Sequence, residues 1–138
     1  MMRLDNLRFI HQPPDVPGYT LLRNTTGWDT LPDEVMQSGL HNSLFGVSVF
    51  DGDQIVGCGR VIGDGAMYVY IQDCIVLPEY QGLGIGSRIM HHLMGYITTQ
   101  LPDCVFVGLM AAKDAAGFYE KFGFICRPQN RPGMFMEQ

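Results

Sequence analysis

Residues 76–90, VLPEYQGLGIGSRIM, set an apolar run, three glycines at every second position and an amphipathic stretch in one line. A strand, then a glycine-rich turn, then a helix presents the free N–H groups of the helix start to whatever lies in front of them. Glycines at 82, 84 and 86 keep side chains out of that space, so a pyrophosphate could sit against bare amides. A tight turn with no ligand is the competing reading of the glycines alone. Two common nucleotide loops do not fit. No Lys follows the glycines, as a Walker loop requires, and the spacing is G-x-G-x-G rather than the dinucleotide G-x-G-x-x-G.

Upstream, LFGVSVFDGDQIVGCGRVIGDGAMYVYIQDCIVLP (44–78) alternates β-branched runs with two D-G dipeptides. It predicts three antiparallel strands near 44–50, 54–63 and 66–77, joined by two-residue hairpin turns. Downstream, Ile85, Ile89, Leu93 and Ile97 recur every four residues with Met90 and Met94 alongside, a helix buried on one face. Leu101-Pro102 closes it. CVFVGLM (104–110) reads as a short strand, and KDAAGFYEKFGF (113–124) as a short helix stopped at Gly123. The tail FICRPQNRPGMFMEQ (124–138) reads as two strand fragments around a Pro-rich loop, and a strand there is the candidate edge for a homodimer.

Ahead of the meander, residues 1–18 read as an irregular lead-in ending in HQPPDVPG, and YTLLRNT (19–25) as a first strand. LPDEVMQSGLHNS (31–43) opens with Pro32 and acids, a helix start, with Leu31, Val35 and Met36 on its apolar side and Gly39 as its stop. The predicted fold class is α+β, an α/β sandwich on a mainly antiparallel sheet flanked by helices, forming a single domain over 1–138.

Composition narrows the function. The 138 residues are 46% hydrophobic and 17% charged, which suits one globular domain. A net charge of −5 with no basic run argues against nucleic acid as the main partner. MMRLDNLRFIHQ lacks a signal-peptide core and no apolar run is long enough to span a bilayer, so no membrane partner and a cytoplasmic location are expected. Cys58, Cys74, Cys104 and Cys126 lie in or beside apolar stretches without a C-x-x-C pair, as buried thiols do, and no metal-ligand spacing is present. His91 and His92 would point about 100° apart on a helix.

Gln81 adds identity to the glycines. QGLGIG (81–86) resembles the (R/Q)-x-x-G-x-G/A signature of the GCN5-related N-acetyltransferase (GNAT) superfamily, and CIVLPEYQ (74–81) resembles that family's lead-in. The meander, glycine loop, long helix, apolar strand and GFYEKFGF (117–124) follow in the family's order, while the first 18 residues carry none of it. The resemblance implies a GNAT-like acyl-CoA N-acyltransferase fold with acetyl-CoA as cosubstrate and no metal. It implies that Gln81, Gly82, Leu83, Gly84, Ile85, Gly86 and Ser87 cradle the pyrophosphate. Main-chain groups of Cys74, Ile75 and Val76 would take the pantetheine arm. Tyr119 matches the family tyrosine whose hydroxyl can protonate the CoA sulfur. One departure is Ala112, where many relatives carry Asn seven residues before that tyrosine.

The implied reaction is acetyl transfer to the primary amine of a small molecule by direct attack in a ternary complex. An alkyl ammonium must lose a proton first, and the leaving thiolate gains one. Asp73, the sole carboxylate in MYVYIQDCIVLP (67–78), is the candidate base, because an acid inside an apolar strand tends to hold its proton more tightly. Alternation places it with Val69, Ile71 and Ile75, opposite Tyr68, Tyr70 and Gln72. A carboxylate satisfied by backbone donors or by a neighbouring helix is the alternative, and water could carry the proton instead. Trp28, Phe45, Tyr68 and Tyr70 are candidate acceptor walls, with Arg127 or Arg131 for an anionic group. Acetylation of a protein lysine or N-terminus, and a non-catalytic acyl-CoA sensor, are the rival readings.

Overall fold

In the computed structural model, residues 4–137 are described. They fall into two compact units that divide between Gly108 and Leu109. The first is built on a five-stranded sheet of β1 (Leu7–Ile10), β2 (Phe45–Asp51), β3 (Gln54–Gly63), β4 (Tyr68–Val76) and β5 (Phe106–Gly108), in that spatial order. The first three pairings are antiparallel and β5 runs parallel to β4, which gives the expected mainly antiparallel α+β sheet. Helices α1 (Val16–Arg23), α2 (Asp33–His41) and α3 (Ile85–Gln100) complete the unit.

The N-terminal segment differs from its sequence reading. Leu7–Ile10 is a paired strand, not part of an irregular lead-in, lying against Ser48–Asp51 of β2. Residues 16–23 are helical where a strand was expected over 19–25. Asp15 accepts the Gly18 N–H at 2.8 Å as an N-cap and Pro17 sits in the first turn, so the Pro-rich stretch starts a helix. Tyr19 and Leu22, three apart on one face, are its buried residues. α2 begins after Pro32 but runs through Gly39 to His41. It buries Met36 and Leu40, while Leu31 and Val35 are exposed. Met36, Leu40 and Tyr19 pack together.

The first hairpin turn has two residues, as expected. The second, residues 64–67, has four, because the Asp64 carboxylate accepts the N–H groups of Ala66, Met67 and Tyr68 at 2.8, 2.8 and 3.1 Å. Those bonds, Ala66 foremost, hold the Asp64 carboxyl below the usual range.

α3 buries Ile85, Ile89, Met90, Leu93 and Ile97 against the sheet. A Cβ on Gly59 would stand 2.7 Å from Ile89 Cγ2 and 2.9 Å from Leu93 Cδ1, so the glycine sets how closely the helix approaches β3. β4 departs from strict alternation. Arg60 pairs with Gln72 and Cys58 with Ile75, which leaves Asp73 and Cys74 together opposite Gly59. Asp73 takes a left-handed φ of 58° at this bulge. Paired residues share a face, so Gln72 and Asp73 both turn toward α1 instead of to opposite sides. Cys74 turns to α3, its sulfur 3.8 Å from that of Met90.

In the second unit, α4 (Ala116–Glu120) is shorter than predicted, with turn bonds continuing to Gly123 at φ 92°. Residues 124–137 contain no strand, so the edge expected to carry a homodimer is not one. None of the four cysteines is in a disulfide, and Cys104 and Cys126 are exposed, contrary to the buried reading; Cys104 falls in a turn rather than in the strand. Burial pushes the Cys58 thiol well up. Among the described residues no helix is long and apolar enough to cross a membrane, and no group of three or more His, Cys, Asp or Glu could hold a metal.

Candidate active site

At the end of β4 the chain passes through Leu77 and a 3-10 turn (Pro78–Tyr80) into the glycines. Two side chains anchor this loop. The Tyr80 hydroxyl donates to Asp51 Oδ2 at the β2–β3 turn, and Gln81 Nε2 donates to Val76 O at 2.9 Å. Gly84, at φ 85°, is the N-cap residue of α3, and no side chain caps the helix. The first helical bond runs from the Arg88 N–H to Gly84 O, so the N–H groups of Ile85, Gly86 and Ser87 lie outside the helical ladder. No acid sits in the first turn. This positive helix end is therefore unneutralised from within. Nothing lies within 4 Å of where a Cβ on Gly82 or Gly84 would stand.

β5 accompanies β4 only from Tyr68 to Tyr70, and β4 runs on to Val76 past that ladder. Cys74, Ile75 and Val76 thus lie on an edge that leads straight to the glycine loop. The seven loop residues and these three strand residues come together in the first unit. Tyr119 lies in the second, on α4, with its ring against Phe118 and Phe124 at 5.0 and 6.3 Å.

Asp73 is not a solitary acid. Its carboxylate, in a residue only 3% exposed, accepts at Oδ2 from the Tyr19 hydroxyl at 2.9 Å and from Arg60 Nε at 2.9 Å. Arg60 Nη2 completes an ion pair at 2.8 Å, and Gln72 Nε2 reaches Oδ1 at 3.2 Å. Arg60 Nη1 goes on to Gly39 O and Ser43 Oγ. Burial, then the nearby Asp73 charge, raises the Tyr19 hydroxyl above its ordinary pKa. Tyr19 in turn accepts from Arg23 Nη1 at 3.0 Å. The chain Arg60–Asp73–Tyr19–Arg23 links the bulge to α1. Sequence reasoning missed it, although Arg60 is the sole cation of β3 and Asp73 the sole acid of β4. A lone cation and a lone acid on neighbouring strands were the available signal.

The expected acceptor walls separate. Tyr70 shares the Gln72 face of β4, and Trp28 lies beside Arg23, its ring 5.4 Å from the guanidinium carbon. Phe45 pairs with Val61 on the α3 side and stacks on Tyr96 at 4.6 Å. There it joins His11 and His92 in lining a groove of about 310 Å³. Tyr68 is exposed, its ring 5.9 Å from Phe106. In the second unit Arg127 Nε donates to Arg131 O at 2.6 Å.

A meander extended by one parallel strand, with a glycine-rich helix start just past the end of β4, defines an acyl-CoA N-acyltransferase fold. Residues 42–126, more than half of the chain, match the family model described as an acetyltransferase (GNAT) domain. The chain belongs to the GNAT family, whose cosubstrate is acetyl-CoA. It is similar to a crystal structure from meticillin-resistant Staphylococcus aureus described as a protein of unknown function and probable acetyltransferase. That likeness has 37% identity and a TM-score of 0.89 over 96% of this chain and 99% of the other. A GNAT family acetyltransferase from Streptococcus pneumoniae is 30% identical with a TM-score of 0.81, over 96% and 98% of the two chains. An uncharacterized N-acetyltransferase of Pyropia yezoensis is 30% identical over 118 residues, 83% of this chain and 67% of that one.

Proposed function

We propose that this chain transfers the acetyl group of acetyl-CoA to the primary amine of a small molecule within a ternary complex. The observation that carries the reading is the uncapped, acid-free start of α3, reached through two open left-handed glycines from the end of β4. The amides of Ile85, Gly86 and Ser87, with the backbone of residues 81–84, fit a pyrophosphate, and the edge of β4 at 74–76 fits the amide-bearing pantetheine arm. When bound, acetyl-CoA supplies an activated thioester. The amine nitrogen bonds to its carbonyl carbon as the C–S bond breaks; the nitrogen gives up two protons, one to solvent before attack and one as the amide forms, and the departing sulfur takes up one.

Holding the two reactants together is worth an effective molarity of roughly 10⁵–10⁸ M, and a positioned acid about 10²–10⁴-fold more. Tyr119 is our candidate for that acid, on its place in the GFYEKFGF motif. Asp73 is reassigned in this proposal. Three donor contacts on Oδ2 leave that oxygen little capacity to take a substrate proton, so Asp73 holds the bulge and water removes the proton.

Thiol release from acetyl-CoA over a panel of small amines and peptides tests the reading. Release with small amines supports it. Release only with peptides moves the acceptor to a protein lysine or N-terminus. Calorimetric binding of acetyl-CoA without release above background identifies a sensor.

A further inference from the structure

Arg23 closes the last turn of α1 half-buried, and its guanidinium is fixed on several sides. Nε donates to Asp29 O at 2.9 Å and Nη1 to the Tyr19 hydroxyl at 3.0 Å. The rings of Tyr19 and Trp28 stand 5.9 and 5.4 Å from its central carbon. These contacts come from three residues, and each contacting group, a carbonyl, a hydroxyl or a ring, is neutral. Among the described residues Arg60–Asp73 is the ion pair of this region, and no carboxylate lies within salt-bridge distance of Arg23. Within the hydrogen-bonded chain, Arg23, Arg60 and Asp73 carry two positive charges and one negative, an excess of one. A half-buried cation held rigid without a counter-charge is poorly solvated by the protein that holds it.

Two hydrogen bonds connect this guanidinium to the bulge, Arg23 to Tyr19 and Tyr19 to Asp73 at 2.9 Å. The next residue, Cys74, begins the edge assigned above to the pantetheine arm. An acceptor approaching from the α1 side would come near the unused N–H groups of Arg23. We propose that Arg23 binds a carboxylate on the acceptor, so that the amine substrate is a free amino acid or a close amino-carboxylic acid. The inference rests on the acetyltransferase reading and names its substrate class. A planar guanidinium with donors to spare matches a carboxylate in shape, and a single excess charge matches a monoanion. The Trp28 ring, 40% exposed, offers a face for the rest of the molecule.

The test compares proteinogenic amino acids with their own methyl esters as acceptors, in the wild type, Arg23→Met and Arg23→Lys. The ratio of acid to ester kcat/KM is read for each protein; comparing proteins cancels the difference in amine basicity. At least one acid should exceed its ester by about tenfold or more in the wild type, the scale of one lost charged hydrogen bond. Arg23→Met should lower that ratio by about tenfold or more through KM, leaving acetyl-CoA affinity unchanged, and Arg23→Lys should restore part of it. If no acid exceeds its ester, or the preference survives Arg23→Met, the assignment is overturned. Arg23→Gln gives the same comparison where Arg23→Met does not fold. Acetyl-CoA binding with turnover of esters or simple amines alone removes Arg23 as a carboxylate site and leaves the acetyltransferase reading in place. Absence of acetyl-CoA binding removes both.

Discussion

The guanidinium of Arg60 and the carboxylate of Asp73 meet at 2.8 Å beside the β4 bulge, with only 12% and 1% of their side chains exposed. Removing one partner strands the other charge out of water, which costs about 3–5 kcal/mol. Arg60→Met and Asp73→Ala should each lower the unfolding free energy by about 3 kcal/mol or more, and the double variant should lose less than the sum. Urea denaturation measures all three. Additive losses would show that the pair does not act as a unit.

Gly59 lies opposite the bulge and under α3. Gly59→Ala places a methyl 2.7 Å from Ile89 and 2.9 Å from Leu93, so the helix must lift. The expected cost is about 1–3 kcal/mol, seen as a lowered Tm. Gly39→Ala, inside α2 with nothing within 4 Å of the new methyl, should be neutral or stabilising by comparison.

His92 gives the fold a pH dependence. Its Nδ1 lies 2.8 Å from His11 Nε2, and its pKa falls below the ordinary 6.5, through burial first, then His11, Arg88 and His91. The unfolded chain therefore takes up the proton before the folded one as pH drops. The contribution is complete above about pH 6.5 and declines as pH falls below it. Unfolding free energy measured from about pH 7.5 to 5.5 should fall more steeply in the wild type than in His92→Gln. Parallel curves would contradict the assignment.

Tyr119→Phe should lower kcat by about 10²-fold with acetyl-CoA affinity nearly intact, as expected for loss of a general acid. An unchanged kcat, measured by thiol release at saturating amine, would return this ring to a packing role.

What was legible in the sequence divides along physical lines. The meander, the glycine loop and α3 each carry a local signal: alternation with D-G turns, spaced glycines, and apolar residues four apart. α1 was misread because Tyr19 and Leu22 look like strand residues, while the signal for a helix, Asp15 and Pro17, lies within a stretch that resembles a loop. The bulge at Asp73 was invisible to alternation, since one inserted residue resets the faces, and only pairing with β3 reveals it. The Arg60–Asp73–Tyr19–Arg23 chain joins residues up to 54 positions apart, so no local pattern contains it. The tail misled for the opposite reason. Ile125, Met134 and Phe135 suggest strands, yet they are exposed and unladdered.

The proposed function turns on binding of the acetyl-CoA pyrophosphate at the start of α3. Isothermal titration of CoA against pantetheine, which lacks the pyrophosphate, tests it most directly. Two or more charge-assisted amide bonds at about 1.5–3 kcal/mol each predict CoA binding at least about 10²-fold tighter than pantetheine. Equal affinity for the two, or no binding of CoA, would contradict the account.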